Sequence, residues 1–175
     1  ESAILLHVRH LLGTGLHCPW MVVDDDTAMI FGRELLGYPK KMGEFVFEED
    51  DDMVSASMTR RGTTVLSMEG VKGEREVPPR PAFDVKTFNA GGPGSLFIIN
   101  PVWMFRPREV IHESRQMEVK INIEASEFDP IAEMIAGGPL SGRFVAMDIV
   151  NSKYNLPVGL CGIKYLSRNF DIRFR

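Results

Sequence analysis

The chain has 175 residues, of which 44% are hydrophobic and 25% charged, and its formal net charge is −4. About two thirds of the unfolded surface is buried at this length, so we expect a single domain over residues 1–175 with a well-filled core. No apolar run approaches the roughly 20 residues of a membrane-spanning helix, which excludes one. The 20 Lys and Arg are scattered among 24 acidic residues, which argues against nucleic acid as a partner.

Cysteine usage indicates the redox compartment. Cys18 and Cys161 lie far apart, without C-x-x-C spacing and without a preceding signal peptide, so we expect a reduced, cytoplasmic protein. The sequence opens on Glu1-Ser2-Ala3 in place of Met. We therefore expect that the natural chain has a further N-terminal segment.

Short strands dominate the chain from its start. Alternating or β-branched apolar runs, separated by turn residues, predict strands over residues 3–8, 20–23, 44–47, 53–58, 63–68, 95–105, 110–123, 143–150 and 156–166. So many strands imply one large, mostly antiparallel sheet. Closure would remove the exposed edges of such a sheet, so the predicted fold is mainly β (α+β), a closed antiparallel barrel with a few short helices, in preference to a sandwich.

The first predicted helix covers residues 27–36. Asp25 or Asp26 can cap its N-terminus, since an Asp side chain accepts a hydrogen bond from an unpaired amide of the first turn. Gly37 follows the last apolar pair of the segment and can end the helix in a left-handed conformation.

The second predicted helix covers residues 130–136, with Asp129 as N-cap, Pro130 at the first helical position and Gly137-Gly138 after its end. Residues 77–94 are instead rich in proline and glycine, which are unsuited to a central strand. We expect one long loop there.

The most informative stretch begins within the first helix. In residues 32–43 the helix ends and the chain turns through a proline into the pair Lys40-Lys41. A Lys-Lys pair after a helix is ordinarily solvated, so the pair alone does not indicate catalysis. The longer pattern resembles the signature of the acetoacetate decarboxylase family, and it consists of an Asp25 to Ala28 turn, G-R-E-L at 32–35, Y-P-K-K at 38–41 and Gly43. The later strands resemble the family's closing strands, so the resemblance covers most of the chain.

The resemblance implies a cone-shaped β barrel, an activity on small keto acids without an external cofactor, and assembly into a homo-oligomer. By position in the motif, Lys40 is the residue that forms the Schiff base, and its neighbour Lys41 is included with it among the predicted catalytic residues. Glu1 matches a family glutamate at the same distance upstream of the lysine. The family also has an arginine and a second glutamate in an N-terminal segment, for which this sequence has no counterpart before Glu1.

The chemistry of such a lysine can be argued from the residue itself. Loss of CO2 from a β-keto acid leaves an unstable enolate, whereas a protonated imine accepts the electron pair as an enamine. The amine must be neutral to attack, and at the ordinary lysine pKa of about 10.4 only about one lysine in 2,500 is neutral at pH 7. Burial or a nearby like charge lowers a lysine pKa, and acetoacetate decarboxylase is itself the known example of this activation.

Burial is the cause of activation that we expect for Lys40. If Lys40 and Lys41 lie on an extended segment, their side chains face opposite sides, so the charge of Lys41 does not lie against Lys40. We also predict that Tyr38 lines the substrate pocket. The apolar wall that we expect around the Lys40 amine consists of Met21, Val23, Leu36 and Met42. Simple core packing is the alternative explanation for each of these four residues.

Three other patterns have structural explanations that we favour over functional ones. The acidic run at residues 48–52 lacks the glycine and the alternating spacing of a calcium loop, so it predicts a solvated hairpin. His112-Glu113 predicts a hydrogen-bonded structural pair in the barrel wall. No metal is assigned, because no second cluster completes four ligands beside His7, His10, His17 and Cys18.

These observations predict a carbon-carbon lyase that decarboxylates a small β-keto acid, such as acetoacetate, through an imine on Lys40. Two alternatives stay open. The same imine supports aldolase or dehydratase chemistry on a pyruvate-like α-keto acid. A non-catalytic barrel that binds a small ligand is the other alternative, favoured by ten methionines suited to an adaptable cavity.

Overall fold

The computed structural model describes residues 1–83, 86–91, 100–135, 137–162, 164–165 and 172. The chain divides into two compact units, each built from separated stretches. Unit 1 comprises residues 1–42, 85–108 and 151–175, and unit 2 comprises residues 43–84 and 109–150. The single domain of the sequence analysis stays a prediction.

The described residues form nine strands and two helices. The helices are α1 (Asp26–Leu35) and α2 (Ile131–Met134). The strands are β1 (Ser2–His10), β2 (Gly13–Val23), β3 (Lys40–Met42), β4 (Glu44–Glu49), β5 (Met53–Arg60), β6 (Thr63–Arg75), β7 (Thr87–Ala90), β8 (Asn100–Ile123) and β9 (Gly142–Cys161). The mainly β composition confirms the predicted class.

Unit 1 is built around β2. The strands β1 and β2 form an antiparallel hairpin in which Ser2 lies opposite Val22 and His10 opposite Gly13. Both β3 and β7 run parallel to β2, and β7 lies antiparallel to the first part of β8. Residues 20–23 of β2 are at most 4% exposed. A continuous apolar run is typical of a strand that is covered on both faces.

Unit 2 is a meander of antiparallel strands. The strands β4, β5 and β6 pair in sequence order, β6 pairs with the second part of β8, and β9 pairs with β8. The acidic run forms the turn between β4 and β5, where the Asp50 carboxylate accepts backbone hydrogen bonds from Asp52 at 2.9 Å and Met53 at 2.7 Å. These two bonds hold the pKa of Asp50 below its ordinary value. The hairpin predicted at this run is confirmed.

Strand pairing bears on the closed barrel that the sequence predicted. The pairings run β1-β2-β7-β8-β6-β5-β4, with β3 beside β2 and β9 beside β8. Within the part of the chain that the structure describes, no pairing joins β4 back to β1. Among the described strands the sheet is therefore large and mostly antiparallel, as predicted, and its closure into a barrel is not confirmed. Closure requires a particular tilt and stagger of all strands together, which apolar periodicity within one strand does not specify.

The second helix is shorter than predicted. Only one turn forms, at Ile131–Met134, with Pro130 before it and no side-chain cap. The Asp129 carboxylate, expected as the N-cap, instead accepts a hydrogen bond from Nε of Arg60 at 2.6 Å and is fully buried. A guanidinium is a stronger partner for a buried carboxylate than the amide of a one-turn helix.

The long loop predicted at residues 77–94 is also corrected, because β7 lies within it and pairs with both β2 and β8. The prolines and glycines of the segment lie outside Thr87–Ala90, so four residues were free to form a strand. The strands predicted at 143–150 and 156–166 are parts of one strand, β9, as far as Cys161. Of the predicted segments, residues 84–85, 92–99, 136, 163 and 166 lie outside the described residues.

Candidate active site

Helix α1 leads the chain to the lysine pair. Its N-terminus is capped as predicted, because the Asp25 carboxylate accepts a hydrogen bond from the backbone N–H of Ala28 at 2.6 Å. Beyond its other end Gly37 has a φ of +73°, a left-handed conformation that glycine adopts without strain. Asn155 of β9 donates to the carbonyl oxygen of Leu35 at 3.0 Å, which satisfies one carbonyl of the last turn. The chain therefore leaves the helix in a defined direction and enters β3.

Strand β3 sets the orientation of the two lysines. It lies parallel to β2, with Met21 opposite Lys40 and Val22 opposite Lys41. Neighbouring side chains of a strand point to opposite faces, so Lys40 and Lys41 lie on opposite sides of the sheet. Lys41 is buried on its own side, with 6% of its surface exposed.

The amine of Lys40 is mostly buried and is ion-paired with Glu1. Its Nζ donates to Oε2 of Glu1 at 3.1 Å, and the side chains are 11% and 49% exposed respectively. Ala3 of β1 lies opposite Met21, which in turn lies opposite Lys40. Because residues two apart share a face of a strand, Glu1 falls on the same face as Lys40. The structure thus brings together two side chains that are 39 positions apart in the sequence.

Gly32 of α1 makes room for the Lys40 side chain. A Cβ on Gly32 would lie 2.5 Å from both Cδ and Cε of Lys40 and 3.2 Å from its Nζ. Carbon atoms in contact ordinarily stay about 3.5–4.0 Å apart, so no larger residue fits there unless the lysine moves. The glycine of the G-R-E-L pattern therefore has a packing role that the sequence analysis did not assign.

Apolar residues of β2 and of the chain after α1 pack near this amine. Met21, Val23 and Leu36 belong to one buried cluster with Cys18 and Tyr38, and all five are at most 8% exposed. Met42, the fourth predicted wall residue, is 41% exposed at the end of β3. The buried members pack in the core of unit 1, and their role toward a substrate stays a prediction.

The hydroxyl of Tyr38 lies beside β7. It is 2.8 Å from Oγ1 of Thr87, which is fully buried. Burial raises the pKa of Tyr38 to about 12; interactions with the side chains of Thr87 and Asn89 oppose this, and the charges of Cys18 and Glu1 raise it further. The phenol therefore stays protonated near neutral pH, and the Glu1 carboxylate lies within electrostatic reach of it.

Asn89 lies two residues beyond Thr87 and therefore on the same face of β7. It is fully buried, and its Oδ1 accepts a hydrogen bond from the backbone N–H of Cys18 at 3.0 Å. Neither Thr87 nor Asn89 is among the residues predicted from the sequence, because both lie in the segment assigned to a loop. The signal that could have found them is the polar-apolar alternation of Thr-Phe-Asn-Ala at residues 87–90.

The other predicted polar groups are engaged elsewhere. Nε2 of His112 lies 2.8 Å from Oδ2 of Asp148. A hydrogen bond from Arg115, together with the charge of Arg75, holds the pKa of Glu113 below its ordinary value. Each of the two residues thus has a partner other than its neighbour, so the predicted pair of His112 with Glu113 does not form among the described contacts.

His17 has a partner at each ring nitrogen. Its Nδ1 lies 2.9 Å from the carbonyl oxygen of Phe88, and its Nε2 lies 2.7 Å from the hydroxyl of Tyr165. Among the described residues, no group of three or more His, Cys, Asp or Glu side chains is arranged to hold a metal ion. No helix in that part of the chain is long and apolar enough to span a bilayer.

Known protein structures share this fold at low sequence identity. An acetoacetate decarboxylase from Legionella pneumophila subsp. pneumophila str. Philadelphia 1 has a TM-score of 0.69 and 14% identity, over 90% of this chain and 64% of that one. An acetoacetate decarboxylase-like enzyme from Sphingomonas wittichii RW1 has a TM-score of 0.76 and 14% identity, over 91% and 68%. The enduracididine biosynthesis enzyme MppR complexed with pyruvate has a TM-score of 0.65 and 13% identity, over 83% and 60%.

This chain spans about two thirds of the length of such structures, 64% and 66% for two acetoacetate decarboxylases. No curated protein matches the sequence. The family model described as acetoacetate decarboxylase matches residues 1–156, which is most of the chain and includes every predicted catalytic residue. The chain therefore belongs to the acetoacetate decarboxylase family.

Proposed function

We propose that this chain is a Schiff-base-forming lyase that decarboxylates a small β-keto acid, such as acetoacetate, with Lys40 as its nucleophile. The observation that carries the proposal is the Lys40 amine, which is mostly buried and has the Glu1 carboxylate at 3.1 Å as its one hydrogen-bond partner among the described residues. Structurally similar proteins include acetoacetate decarboxylases, which supports a related activity.

The Lys40 amine has two roles in the reaction: it attacks the ketone, and as an imine it then accepts the electron pair left by CO2. Neutral Lys40 attacks the ketone carbon, the ketone oxygen leaves as water, and a protonated imine forms. The bond to the carboxylate then breaks, CO2 leaves, and the electron pair moves into the imine to give a neutral enamine. Protonation of the enamine carbon restores the imine, which water hydrolyses to release the ketone and free the lysine. Every electron pair stays within substrate and lysine, so the cycle needs no external cofactor.

Glu1 is the group that we assign to the reacting end of the substrate. The protonated imine keeps a positive charge at the position of the lysine nitrogen, where a carboxylate at about hydrogen-bond distance stabilises it. The same carboxylate repels the carboxylate of the substrate and so favours its loss or reorientation. Lys41 lies on the other side of the sheet, so the proposal gives Lys41 no contact with the reacting atoms.

A second candidate function is aldolase or dehydratase chemistry on a pyruvate-like α-keto acid through the same imine. The observation in its favour is the similarity to MppR, whose structures include one with pyruvate and one with the condensation product of pyruvate and imidazole 4-carboxaldehyde. The two candidates share all steps up to the imine, and they differ in the bond that breaks or forms next.

Trapping with borohydride tests the shared step. Sodium borohydride reduces an imine to a stable amine, so acetoacetate or pyruvate should add one substrate-derived mass to the peptide that contains Lys40. Label on any other lysine, or none with a panel of keto acids, would contradict the proposal. Analysis of the products then separates the candidates, because only decarboxylation releases CO2 and a ketone. Ligand binding without any adduct would favour the non-catalytic alternative.

A further inference from the structure

Asn89 and Trp103 carry two buried donors that have no hydrogen-bond partner of ordinary geometry among the described residues. Nδ2 of Asn89 and Nε1 of Trp103 are both shielded from solvent, and neither makes a hydrogen bond of ordinary geometry, although the Asn89 amide is close enough to the Tyr38 hydroxyl to lower the pKa of that phenol. Asn89 is fully buried, and its Oδ1 already accepts from the backbone N–H of Cys18, which fixes the direction of its amide group. Buried donors are satisfied in nearly all folded proteins, so two orphans in one place require an explanation.

The two orphans share one place. Asn89 of β7 lies directly opposite Trp103 of β8 in the antiparallel register, and Thr87 lies opposite Phe105. Side chains of directly opposed residues project from the same face of a sheet, with Cβ atoms about 4.5–5.5 Å apart. The two N–H groups therefore belong to one small patch on a single face of the sheet.

This patch borders the site around Lys40. Thr87 is 2.8 Å from the Tyr38 hydroxyl, and the ring of Tyr38 packs edge-on against Phe105. Cys18, which holds Asn89, and Met21, which lies opposite Lys40, belong to the same buried cluster. They are three residues apart on β2, about 10 Å along the strand at 3.3 Å per residue, which is within the combined length of a lysine side chain and a small keto acid.

We propose that Asn89 Nδ2 and Trp103 Nε1 donate hydrogen bonds to the carboxylate of the bound keto acid. The inference rests on the proposed function and deepens it, because it names the part of the substrate that these residues recognise. Two neutral donors orient a carboxylate without the full countercharge of an arginine, which would stabilise the carboxylate and oppose the loss of CO2. Asn89 and Trp103 are therefore assigned as substrate-binding residues.

Three variants test the donor pair. Trp103→Phe removes the indole N–H and keeps an aromatic ring, whereas Asn89→Asp removes the amide donor and keeps the acceptor for Cys18. Trp20→Phe is the matched control, because Trp20 is the other tryptophan of the chain, is fully buried and belongs to unit 1. The concentration of pyruvate or acetoacetate that gives half-maximal borohydride trapping is measured for each, beside its melting temperature.

We expect Trp103→Phe to raise the half-maximal concentration about ten-fold, the usual scale for one hydrogen bond to a charged group. Asn89→Asp should raise it by more than this, because the new carboxylate also repels the carboxylate of the keto acid. Trp20→Phe should lower the melting temperature and leave the concentration within two-fold of the unmodified protein, a limit of about 0.4 kcal/mol. A ten-fold rise in Trp20→Phe, or none in Trp103→Phe, would overturn the inference, because the effect would then follow packing or be absent.

A separate binding measurement distinguishes this inference from the proposed function. Keto-acid binding is followed without borohydride, by the shift in melting temperature with pyruvate or acetoacetate. Binding that Trp103→Phe and Asn89→Asp weaken, in a protein that gives no adduct, would support the donor pair and contradict the proposed function. Trapping at Lys40 that both variants leave unchanged would contradict the donor pair alone. Absence of both binding and trapping would overturn both.

Discussion

Lys40 in unit 1 and Lys72 in unit 2 are both mostly buried lysines paired with a partly exposed glutamate, yet their surroundings differ. Lys40 is 11% exposed with Glu1 at 3.1 Å, and Lys72 is 5% exposed with Glu49 at 2.6 Å. Nζ of Lys72 also donates to the carbonyl oxygen of Asp50 at 2.7 Å and lies 4.2 Å from the centroid of the Phe144 ring. Among the described residues, Lys40 has the glutamate alone.

The difference separates a structural lysine from a candidate nucleophile. A carboxylate, a carbonyl and an aromatic face all stabilise an ammonium group, so the three together fix the Lys72 ammonium in position. Attack on a ketone requires the lone pair of a neutral amine. Within the described part of the chain, Lys40 has one stabilising partner to leave before it can attack, whereas Lys72 has three. Burial is similar for both side chains, so the number of partners is the better criterion.

The largest expected effect comes from replacing each lysine by arginine, which keeps the charge but cannot be deprotonated near neutral pH. Lys40→Arg should lower borohydride-trapped adduct at least about 100-fold, because no neutral amine remains at the site. Lys72→Arg should leave the adduct unchanged. Intact-protein mass spectrometry measures both, and adduct loss in Lys72→Arg with adduct retained in Lys40→Arg would reverse the comparison.

Replacing Glu1, the partner of Lys40, should affect turnover far more than replacing Glu49, the partner of Lys72. Glu1→Gln, made with any natural upstream segment retained, should lower turnover of the best keto acid by about two orders of magnitude, the usual scale for one positioned acid or base. Imine trapping and the melting temperature should change little. Glu49→Gln is the matched control and should leave turnover unchanged. Full turnover in Glu1→Gln would withdraw the role assigned to Glu1.

Gly32→Ala sharpens the comparison by crowding Lys40 alone. The new Cβ would lie 2.5 Å from two carbons of Lys40, so the amine must shift and the rate of imine formation should fall at least about ten-fold. Stability should not fall with it, since alanine favours a helix over glycine by about 1 kcal/mol. Gly137→Ala, where a Cβ would meet nothing within 4 Å, is the control. An unchanged trapping rate would show that imine formation does not require the present conformation of the Lys40 side chain beside Gly32.

Stability should show the opposite ranking of the two lysines. Lys72→Met loses two charged hydrogen bonds and the ring contact, and we expect its free energy of unfolding to fall by about 2 kcal/mol. Lys40→Met loses one pair with a half-exposed partner and should cost less than about 1 kcal/mol. Urea denaturation measures both. Equal losses would remove the distinction between the two surroundings.

The smallest expected effect is the change in stability with pH that comes from the titration of Tyr38. The pKa of Tyr38 is about 12 against an ordinary 10.0, so the folded protein binds the phenol proton more tightly than the unfolded chain. The stability from this group is therefore present below pH 10 and lost as the pH rises from 10 towards 12. The difference in tyrosinate absorbance between the unmodified protein and Tyr38→Phe should appear near pH 12. A difference centred at pH 10 would indicate a solvated phenol.

Local signals account for the parts that could be predicted. Asp25 caps α1 and Gly37 follows its end because each acts on amides or carbonyls within a few residues. Asp129 carries the same capping signal, but a partner 69 positions away, Arg60, binds its carboxylate instead. A capping residue therefore predicts a helix only where no distant side chain competes for it.

The amino-acid sequence by itself determined the strand-rich class, helix α1 and the lysine motif that indicates the family, because each depends on short-range periodicity or on an ungapped local pattern. Only the tertiary structure decided that Glu1 meets Lys40, that the Lys40 side chain passes close to Gly32, and that β7 carries Asn89 opposite Trp103. Each of these depends on the register between strands or on contacts between distant segments. Register depends on how all the strands pack together. The apolar pattern of a single strand indicates which of its faces is buried, but not which residue of a neighbouring strand lies opposite each of its own.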